Sequence, residues 1–214
     1  MGDDAARGLH VDATVSLGGQ SLSARFDVAP SSTLALTGSR DAGTIIVRAI
    51  AGRLPISAGT IVLEGVTISK PGSTMSRERR RVGAVFDGYR LSSRLNVRDH
   101  VATVFRRRGV PLAIARKDAQ PWLERYELDH LANLRASDLE PAQRMSLALA
   151  RALASDPAAL VLDDPLGPLS DKPAARTSLA RLLRDFGRPV VIATRDPNDI
   201  AALAAHSIAV SGWH

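Results

Sequence analysis

The chain of 214 residues contains no cysteine, which excludes disulfide bonds, thiolate metal sites and cysteine nucleophiles. Aromatic residues make up only 4% of it, too few to predict the stacking platforms that hold single-stranded nucleic acids. The sequence has no apolar run of the roughly 18–20 residues that span a bilayer. Its first ten residues lack the apolar core of a signal peptide. We therefore expect a cytoplasmic protein.

What is present is an ordinary globular composition, with 45% hydrophobic and 23% charged residues, which excludes disorder and collagen-like structure. The length suits one large domain, or one domain with an insertion. The formal net charge is +6. Such a mild excess of basic residues is compatible with nucleic acid or anionic lipid as a partner, but it selects neither.

Strand and helix patterns alternate along most of the chain. Apolar alternation and short apolar runs predict strands at 10–17, 21–28, 33–37, 60–64, 82–86, 159–163, 190–194 and 207–211. Helical spacing of apolar residues predicts helices at 44–51, 97–108, 111–126, 141–154, 172–186 and 197–205. Apolar strands that alternate with helices indicate an α/β fold with a mostly parallel sheet. The helical block in the middle indicates an inserted subdomain.

A glycine-bounded loop, Gly38 to Gly43, lies between a predicted strand and a predicted helix. This is the context of a phosphate-binding loop, in which backbone N–H groups and the positive end of a helix face an anion. The motif normally continues with lysine and then Ser or Thr, but here Thr44 follows Gly43 directly. Because two spaced glycines also suit a plain turn, this segment alone leaves both interpretations open.

A second candidate site lies at Asp163 and Asp164, which follow four apolar residues. A parallel strand delivers such carboxylates to its carboxyl edge, where ligands bind in open α/β sheets. In P-loop enzymes an aspartate at this place holds magnesium, and the Thr44 hydroxyl is a further possible ligand. The alternative is that the two aspartates only cap a turn or a helix after the strand.

Four stretches, taken together, resemble the ATP-binding subunits of ABC transporters: VRAIAG at 47–52, RRRVGAVFDGYRLSSRLNVRDHVA at 79–102, ALARALASDPAALVLDDPLGPLS at 148–170 and VVIATRDPNDIAALA at 190–204. The resemblance covers nearly the whole chain and is greatest to importer subunits for molybdate, sulfate and polyamines, with the molybdate type fitting best. It implies one nucleotide-binding domain over 1–214. That domain comprises a P-loop sheet, an antiparallel β subdomain near the N-terminus and a helical subdomain inserted at about 88–154.

The resemblance also implies ATP and Mg²⁺ as cofactors, together with two protein partners. Two such cassettes, identical or different, normally sandwich ATP between them, and the helical subdomain docks on a membrane permease. The resemblance places the protein on the inner face of the cell membrane as a peripheral subunit. It implies no nucleic-acid partner.

The phosphate loop of the family maps onto this chain with several departures. An alignment without a gap puts Gly43 in the position of the lysine, and it puts Arg40 and Ala42 in glycine positions. A one-residue deletion after Gly43 is the alternative. The resemblance implies Thr44 and Asp163 as magnesium ligands, and it implies further nucleotide contacts from Gly38, Ser39, Arg40, Gly43, Thr44, Asp87, Glu140, Gln143 and Asp163.

The other departures fall on positions that handle the reaction. Asp87 stands where the family has a glutamine near magnesium, and the signature LSGGQ appears as LEPAQ, with Glu140 replacing its serine. The implied catalytic positions hold Asp164 instead of glutamate and Arg195 instead of histidine. The aromatic residue that stacks on adenine is not evident around 16–18.

These departures predict weakened nucleotide binding and strongly impaired hydrolysis, because phosphoryl transfer depends on positioning and charge neutralisation. Two alternatives stay open: a working ATPase that energises oxyanion uptake, and an interaction module that keeps the scaffold without nucleotide. We expect Arg77–Arg81 to form a solvated basic face instead of a nucleic-acid patch. Gln143 and Arg151 suit a nucleotide-related role and a solvated helix position equally well.

Overall fold

The computed structural model describes residues 8–39 and 41–210. In chain order, the helices and strands are β1 (Leu9–Leu17), β2 (Gln20–Val28), β3 (Thr33–Gly38), α1 (Ala42–Ile50), β4 (Ala58–Leu63), β5 (Val66–Lys70), β6 (Ser73–Thr74), β7 (Val82–Val85), α2 (Val97–Arg106), α3 (Leu112–Arg125), α4 (Pro141–Leu153), β8 (Ala159–Asp163), α5 (Lys172–Phe186), β9 (Val190–Ala193), α6 (Pro197–Leu203) and β10 (His206–Val210). Two short 3₁₀ helices, Asp129–Leu131 and Ala136–Asp138, precede α4.

The first sheet is antiparallel, with the strand order β2-β1-β4-β5-β6. Strands β1 and β2 alternate buried apolar and more exposed polar residues, because one face covers the core and the other faces solvent. Gly18 and Gly19 connect these strands, and both have positive φ angles of 58° and 83°. A tight hairpin turn of this kind needs two such residues, which glycine supplies without steric cost.

The second sheet is parallel, with the strand order β10-β3-β9-β8-β7. Its central strands β8 and β9 are buried on both faces, as their continuous apolar sequence predicts. Val161 and Val191 face a core shared with α1 and the antiparallel sheet. Leu162 and Ile192 face the opposite core, which α4 and α5 complete. Helices α2 and α3 pack together in a third core that α4 also joins.

The structure confirms the fold class, including the N-terminal antiparallel sheet and the helical middle of the chain. Strands β5 and β6 were not predicted, because both are short and largely exposed and lack a clear alternation of buried residues. Helix α1 begins at Ala42, two residues before the predicted start. Ser211, the predicted end of the last strand, lies outside the described residues. Within the part of the chain that the structure describes, no helix is both long and apolar enough to cross a membrane.

The prediction of a solvated basic face at Arg77–Arg81 is wrong for Arg80, which is only 1% exposed. Its guanidinium donates to the carbonyl oxygens of Ala49 (3.2 Å) and Ile50 (2.6 Å) at the end of α1, and to that of Ile68 (3.0 Å). The last carbonyls of a helix have no donor within the helix, and a cation suits the negative end of its dipole. Burial lowers the pKa of Arg80.

Candidate functional site

A cleft of about 350 Å³ opens at the carboxyl edge of the parallel sheet. It lies where β3, β8 and β9 end and where α1 begins, which is the edge that the strand pattern predicts for ligand binding. Most of the site residues implied by the sequence come together here. The described lining residues among them are Gly38, Ser39, Gly43, Thr44, Asp87, Asp163, Asp164 and Arg195.

The loop from β3 to α1 forms one wall of the cleft. Gly38 has a φ of 120°, and a Cβ added there would collide with the carbonyl oxygen of Val210 on β10, so both conformation and space require glycine. The Ala42 N–H donates to the Ser39 carbonyl oxygen at 3.1 Å, which closes the loop onto the start of α1. Arg40 lies outside the described residues.

Gly43 belongs to the first turn of α1 and is buried. A Cβ added to Gly43 would lie 2.9 Å from the Cβ of Ala193 on β9, closer than side chains normally pack. The backbone at this position is therefore fitted to the absence of a side chain. Thr44 follows Gly43 within the helix, so the hydroxyl residue lies one position after the place that the gap-free alignment gives to the lysine.

Thr44 and Asp163 meet at the base of the cleft. The Thr44 hydroxyl donates to Oδ1 of Asp163 at 2.6 Å, whereas Oδ2 of Asp163 is buried without a hydrogen-bond partner. Asp163 is 2% exposed. Burial raises the pKa of its carboxyl, and the nearby Asp87 and Asp164 raise it further, against the Thr44 hydrogen bond and the charge of Arg48.

This pair fits magnesium as a partial set of ligands. Mg²⁺ is normally held by one or two carboxylates together with water and phosphate oxygens, and the unpartnered Oδ2 of Asp163 is a ligand atom of the right kind. Over residues 8–39 and 41–210, no group of three or more His, Cys, Asp or Glu could hold a metal by itself. The pair therefore suits an ion that arrives with a phosphate.

Asp164 lies beside the cleft in a left-handed conformation with a φ of 44°. Its N–H donates to the Ala193 carbonyl oxygen at 2.8 Å, and its carbonyl oxygen accepts from the Gly167 N–H at 3.2 Å, so it also shapes a turn. The carboxylate packs over Gly167, where a Cβ would collide with it. Burial raises the pKa of Asp164, although Lys172 and Arg195 oppose this effect.

Arg48 is a cleft residue that the sequence reasoning missed. It lies four residues after Thr44 in α1, which places both side chains on the same side of the helix. That spacing was the available signal. Arg48 and Arg195 are the two basic residues among the described residues that line the cleft, together with four acidic ones, Asp41, Asp87, Asp163 and Asp164.

The two signature residues lie apart from the cleft. Glu140 is exposed immediately before α4, and the Gln143 side-chain oxygen accepts a hydrogen bond from the Glu140 N–H at 2.9 Å. Gln143 therefore has a local role at the start of the helix. Neither residue lines the cleft of the same chain.

The loop after β7 is tied to the cleft and to the helical subdomain. The Tyr89 hydroxyl donates to the Pro165 carbonyl oxygen at 3.0 Å, directly after Asp164. Arg151 of α4 donates to the carbonyl oxygens of Tyr89 (3.1 Å) and Arg90 (3.3 Å). The suggestion of a solvated helix position is therefore wrong for Arg151, whose pKa falls to about 10, mainly because of burial.

Comparison with known proteins agrees with this geometry. The sequence profile of the ABC transporter family matches residues 22–167. The sulfate/thiosulfate import ATP-binding protein CysA of Thermosynechococcus vestitus is 34% identical over 182 residues, which make up 84% of this chain and 53% of that protein. The spermidine/putrescine import ATP-binding protein PotA of Frankia alni is 33% identical over 193 residues, which make up 88% of this chain and 41% of that protein.

An uncharacterised ABC transporter ATP-binding protein of Mycobacterium tuberculosis is 34% identical over 175 residues, which make up 80% of this chain and 53% of that protein. The chain thus spans about half the length of the curated relatives it matches. The matched profile covers the β3–α1 loop, the helical subdomain and the Asp163–Asp164 pair, and so includes most of the cleft. The chain therefore belongs to the ABC transporter family and has the α/β P-loop fold of its ATP-binding domains.

Proposed function

We propose that the chain is the ATP-binding subunit of an importer-type ABC transporter in which nucleotide binds weakly and is hydrolysed slowly. The observation that carries this proposal is the contrast within one cleft. Thr44 and Asp163 keep a magnesium-compatible pair, whereas the lysine position is a buried glycine packed against Ala193. The site thus retains two residues that could bind magnesium and lacks the lysine that would neutralise the phosphates.

The charge of the cleft supports weak binding that depends on magnesium. Four aspartates face two arginines among the described lining residues, so a free triphosphate meets net negative charge. The lost lysine is a large omission, because one opposite-charge pair at about 4 Å is worth roughly 4 kcal/mol at an effective dielectric near 20, before desolvation. Mg²⁺ would offset the carboxylates, and we therefore expect little binding without it.

The residues at the catalytic positions are expected to slow hydrolysis independently of the weak binding. Asp164 carries its carboxylate one methylene closer to the backbone than glutamate would, and a group misplaced by about 1 Å costs roughly a hundredfold in rate. A guanidinium group has hydrogen-bond donors and no acceptor, so Arg195 cannot accept a hydrogen bond from the attacking water as the family's histidine could. Losing one preorganised electrostatic group costs about 10²–10³ in rate. Slow turnover is therefore the expected outcome even with nucleotide bound.

The test is a titration of the purified chain with a fluorescent ATP analogue, with and without Mg²⁺, together with an assay of phosphate release. We expect weak binding only with Mg²⁺, and release at least about 100-fold slower than the roughly 10 s⁻¹ of an average enzyme. Gly43→Lys should tighten binding at least about tenfold, equivalent to about 1.4 kcal/mol. Gly43→Ala is the matched control, since it adds the same Cβ beside Ala193 without the charge.

Each alternative function has its own outcome in this experiment. Phosphate release near 10 s⁻¹ by the unmodified chain would favour a working ATPase. No binding at millimolar nucleotide would favour a non-nucleotide interaction module. Equal affinities of the Gly43→Lys and Gly43→Ala variants would contradict the assignment of the lysine position. Adding Ala193→Gly to the Gly43→Lys variant relieves the close Cβ contact. If this double variant binds nucleotide more tightly than Gly43→Lys alone, steric hindrance had masked the effect of the charge.

For the wider assembly, we propose a second cassette and a membrane permease as partners, at the inner face of the cell membrane. For the solute we propose an oxyanion such as molybdate, on the sequence resemblance. Sulfate/thiosulfate, named for the Thermosynechococcus relative, belongs to the same chemical class, whereas spermidine/putrescine, named for the Frankia relative, is cationic. Uptake of labelled molybdate and spermidine by cells with and without this chain separates the two classes.

A further inference from the structure

A second cavity, of about 180 Å³, lies at the amino edge of the parallel sheet, whereas the cleft lies at the carboxyl edge. Two of its lining residues, Pro157 and Arg188, each lie two residues before a strand, β8 and β9 respectively. Most of the others belong to α3 and α5, so we name it the α3–α5 cavity. It shares no lining residue with the cleft.

Two aromatic rings dominate the apolar part of the α3–α5 cavity. Trp122 of α3 and Phe186 of α5 line it, and both are only partly buried. Leu153 and Leu182 complete this apolar lining. Apolar surface left open to water favours a ligand that covers it, and aromatic rings pack well against one another. Because an apolar cavity of about 150 Å³ can bind benzene, this one accommodates a single phenyl ring.

The charged lining residues are two arginines and two aspartates. Arg188 and Asp156 form an ion pair at 2.9 Å, and Arg188 also donates to the Pro157 carbonyl oxygen. Arg125 and Asp185 are exposed, and among the described residues neither forms an ion pair within 4.0 Å. Two opposite charges thus line one small cavity without meeting, which leaves both open to the charges of a ligand.

We propose that the α3–α5 cavity binds a free α-amino acid with an aromatic side chain, such as phenylalanine. Its carboxylate pairs with the Arg125 guanidinium, which has the planar donor geometry for a carboxylate, and its ammonium group pairs with the Asp185 carboxylate. Its ring packs against Trp122 and Phe186. This site goes beyond the proposed function, because it lies outside the cleft.

The balance of charge favours a zwitterion over an anion or a cation. The described lining residues carry equal numbers of positive and negative side chains, so a phosphate or a polyamine gains no net attraction there. The Arg188–Asp156 pair engages one charge of each sign, which leaves one of each sign for the ligand. Glycine would satisfy both charges and leave the aromatic rings uncovered, so the cavity favours an amino acid that carries a ring.

Occupancy of the cavity links the helical subdomain to the α5 side of the parallel sheet. Trp122 and Arg125 belong to α3, whereas Asp185 and Phe186 belong to α5. A ligand that contacts both helices binds the folded chain and not the unfolded one, and it therefore stabilises the folded state. It acts on the contact between these two helices without entering the cleft.

The test follows the tryptophan fluorescence of a Trp213→Phe variant during titration with L-phenylalanine, without nucleotide. The chain has two tryptophans, so Trp122 in the cavity wall is then the only one left. We expect a saturable change with a dissociation constant between about 10 µM and 1 mM, as suits a ligand of this size. Calorimetric titration of the unmodified chain should give the same constant.

Ligand analogues separate the three contacts. Hydrocinnamate lacks the ammonium group, phenethylamine lacks the carboxylate and glycine lacks the ring. Each should bind at least about fivefold more weakly than L-phenylalanine, because each loses one charge-assisted hydrogen-bonded contact or the packing of the ring.

Variants of the two unpaired charges test the assignment of each contact. Arg125→Gln should weaken L-phenylalanine binding at least about fivefold and leave phenethylamine binding nearly unchanged. Asp185→Asn should weaken L-phenylalanine binding to a similar extent and leave hydrocinnamate binding nearly unchanged. Arg181→Gln on α5 and Asp118→Asn on α3 are the matched controls. They remove exposed charges outside the cavity lining and should change binding by less than about twofold.

Three outcomes would overturn the proposal. The first is the absence of binding at millimolar L-phenylalanine. The second is equal weakening by the cavity variants and the control variants, which would mean that only net charge matters. The third is equally tight binding of N-acetyl-phenylalanine amide, which lacks both charges and would assign a protein segment as the occupant. Because nucleotide is omitted, failure here is distinct from a failure to bind ATP.

Discussion

Asp163 combines a fully buried position with one carboxylate oxygen that has no partner among the described residues. Burial raises its pKa in the folded protein above the ordinary value of about 4. The folded state then binds a proton more tightly than the unfolded chain does. The free energy of unfolding therefore falls as the pH rises from about 4 through the raised pKa, and the cost persists at neutral pH.

Replacing this carboxyl should raise the free energy of unfolding and remove a magnesium ligand. Asp163→Asn keeps an oxygen for the Thr44 hydroxyl and replaces the buried charge with a neutral amide. The unpartnered N–H groups of that amide cost less than the charge, so we expect a gain of roughly 1 kcal/mol in the free energy of unfolding at pH 7. The gain should shrink as the pH falls through the raised pKa of Asp163, because the aspartate itself then becomes protonated. Thermal unfolding of both proteins across this pH range measures the effect.

The control for this prediction is Asp118→Asn, an exposed aspartate on α3. It should leave the unfolding temperature nearly unchanged at every pH. The Asp163→Asn variant should also lose any Mg²⁺ dependence of nucleotide binding. A variant that is less stable at pH 7 than the unmodified chain would contradict the account of Asp163 as a buried carboxylate whose charge lowers the stability of the fold.

At the scale of elements, the end of α1 depends on a residue from a distant loop. Arg80 donates to the carbonyl oxygens of Ala49 and Ile50, and it also reaches Ser69 on β5 at 3.1 Å. Gly52, with a φ of 71°, ends the helix, and a Cβ there would lie 2.6 Å from the Arg80 guanidinium carbon. The end of α1, Gly52 and Arg80 thus pack tightly against one another.

Removing this arginine should destabilise the protein strongly. Arg80→Met fills similar space and removes the donor to the carbonyl oxygens of Ile50 and Met75, so we expect a loss of about 3–4 kcal/mol in the free energy of unfolding. Arg79→Met is the matched control, because Arg79 is exposed and should cost less than about 0.5 kcal/mol. Urea denaturation of both variants makes the measurement, and similar midpoints would refute the role assigned to Arg80.

At the scale of the whole molecule, the signature residues lie apart from the cleft of the same chain. Glu140 lies at the start of α4, away from the cleft that contains Thr44 and Asp163. A carboxylate suits the positive end of its own helix, yet it would repel the phosphates of a nucleotide held by a second copy. In the proposed pair of cassettes, the same side chain would support the fold and oppose association around ATP.

Replacing Glu140 should therefore change assembly more than folding. In the Gly43→Lys background, Glu140→Ser should strengthen the dimer formed with Mg²⁺ and ATP by about tenfold, since a like-charge contact is removed. Serine is a favourable N-cap residue, and Glu140 is the N-cap of α4, so the unfolding temperature should hardly change. Sedimentation velocity measures the dimer fraction. Glu124→Ser on α3 is the control, and an equal effect there would argue against a shared site.

Much of the fold could be predicted because it depends on local patterns. The continuous apolar strands β8 and β9 indicate a parallel sheet by themselves. Asp163 and Thr44 could be paired in advance, because the ends of parallel strands and the following helices converge on one edge. The start of α1 at Ala42 was missed, because Gly43 suggests a loop when the strand packed against it is not known.

The layers of the fold, the family and the residues that depart from its motifs can all be read from the chain alone, because periodicity and residue identity are local properties. Which charges are buried and which are paired depends on how the elements pack. Arg80 and Arg151 look like ordinary basic residues in the sequence, yet each donates to carbonyl oxygens that lie 30 or more residues away along the chain. Burial and long-range hydrogen bonding arise from packing, and no local pattern encodes them.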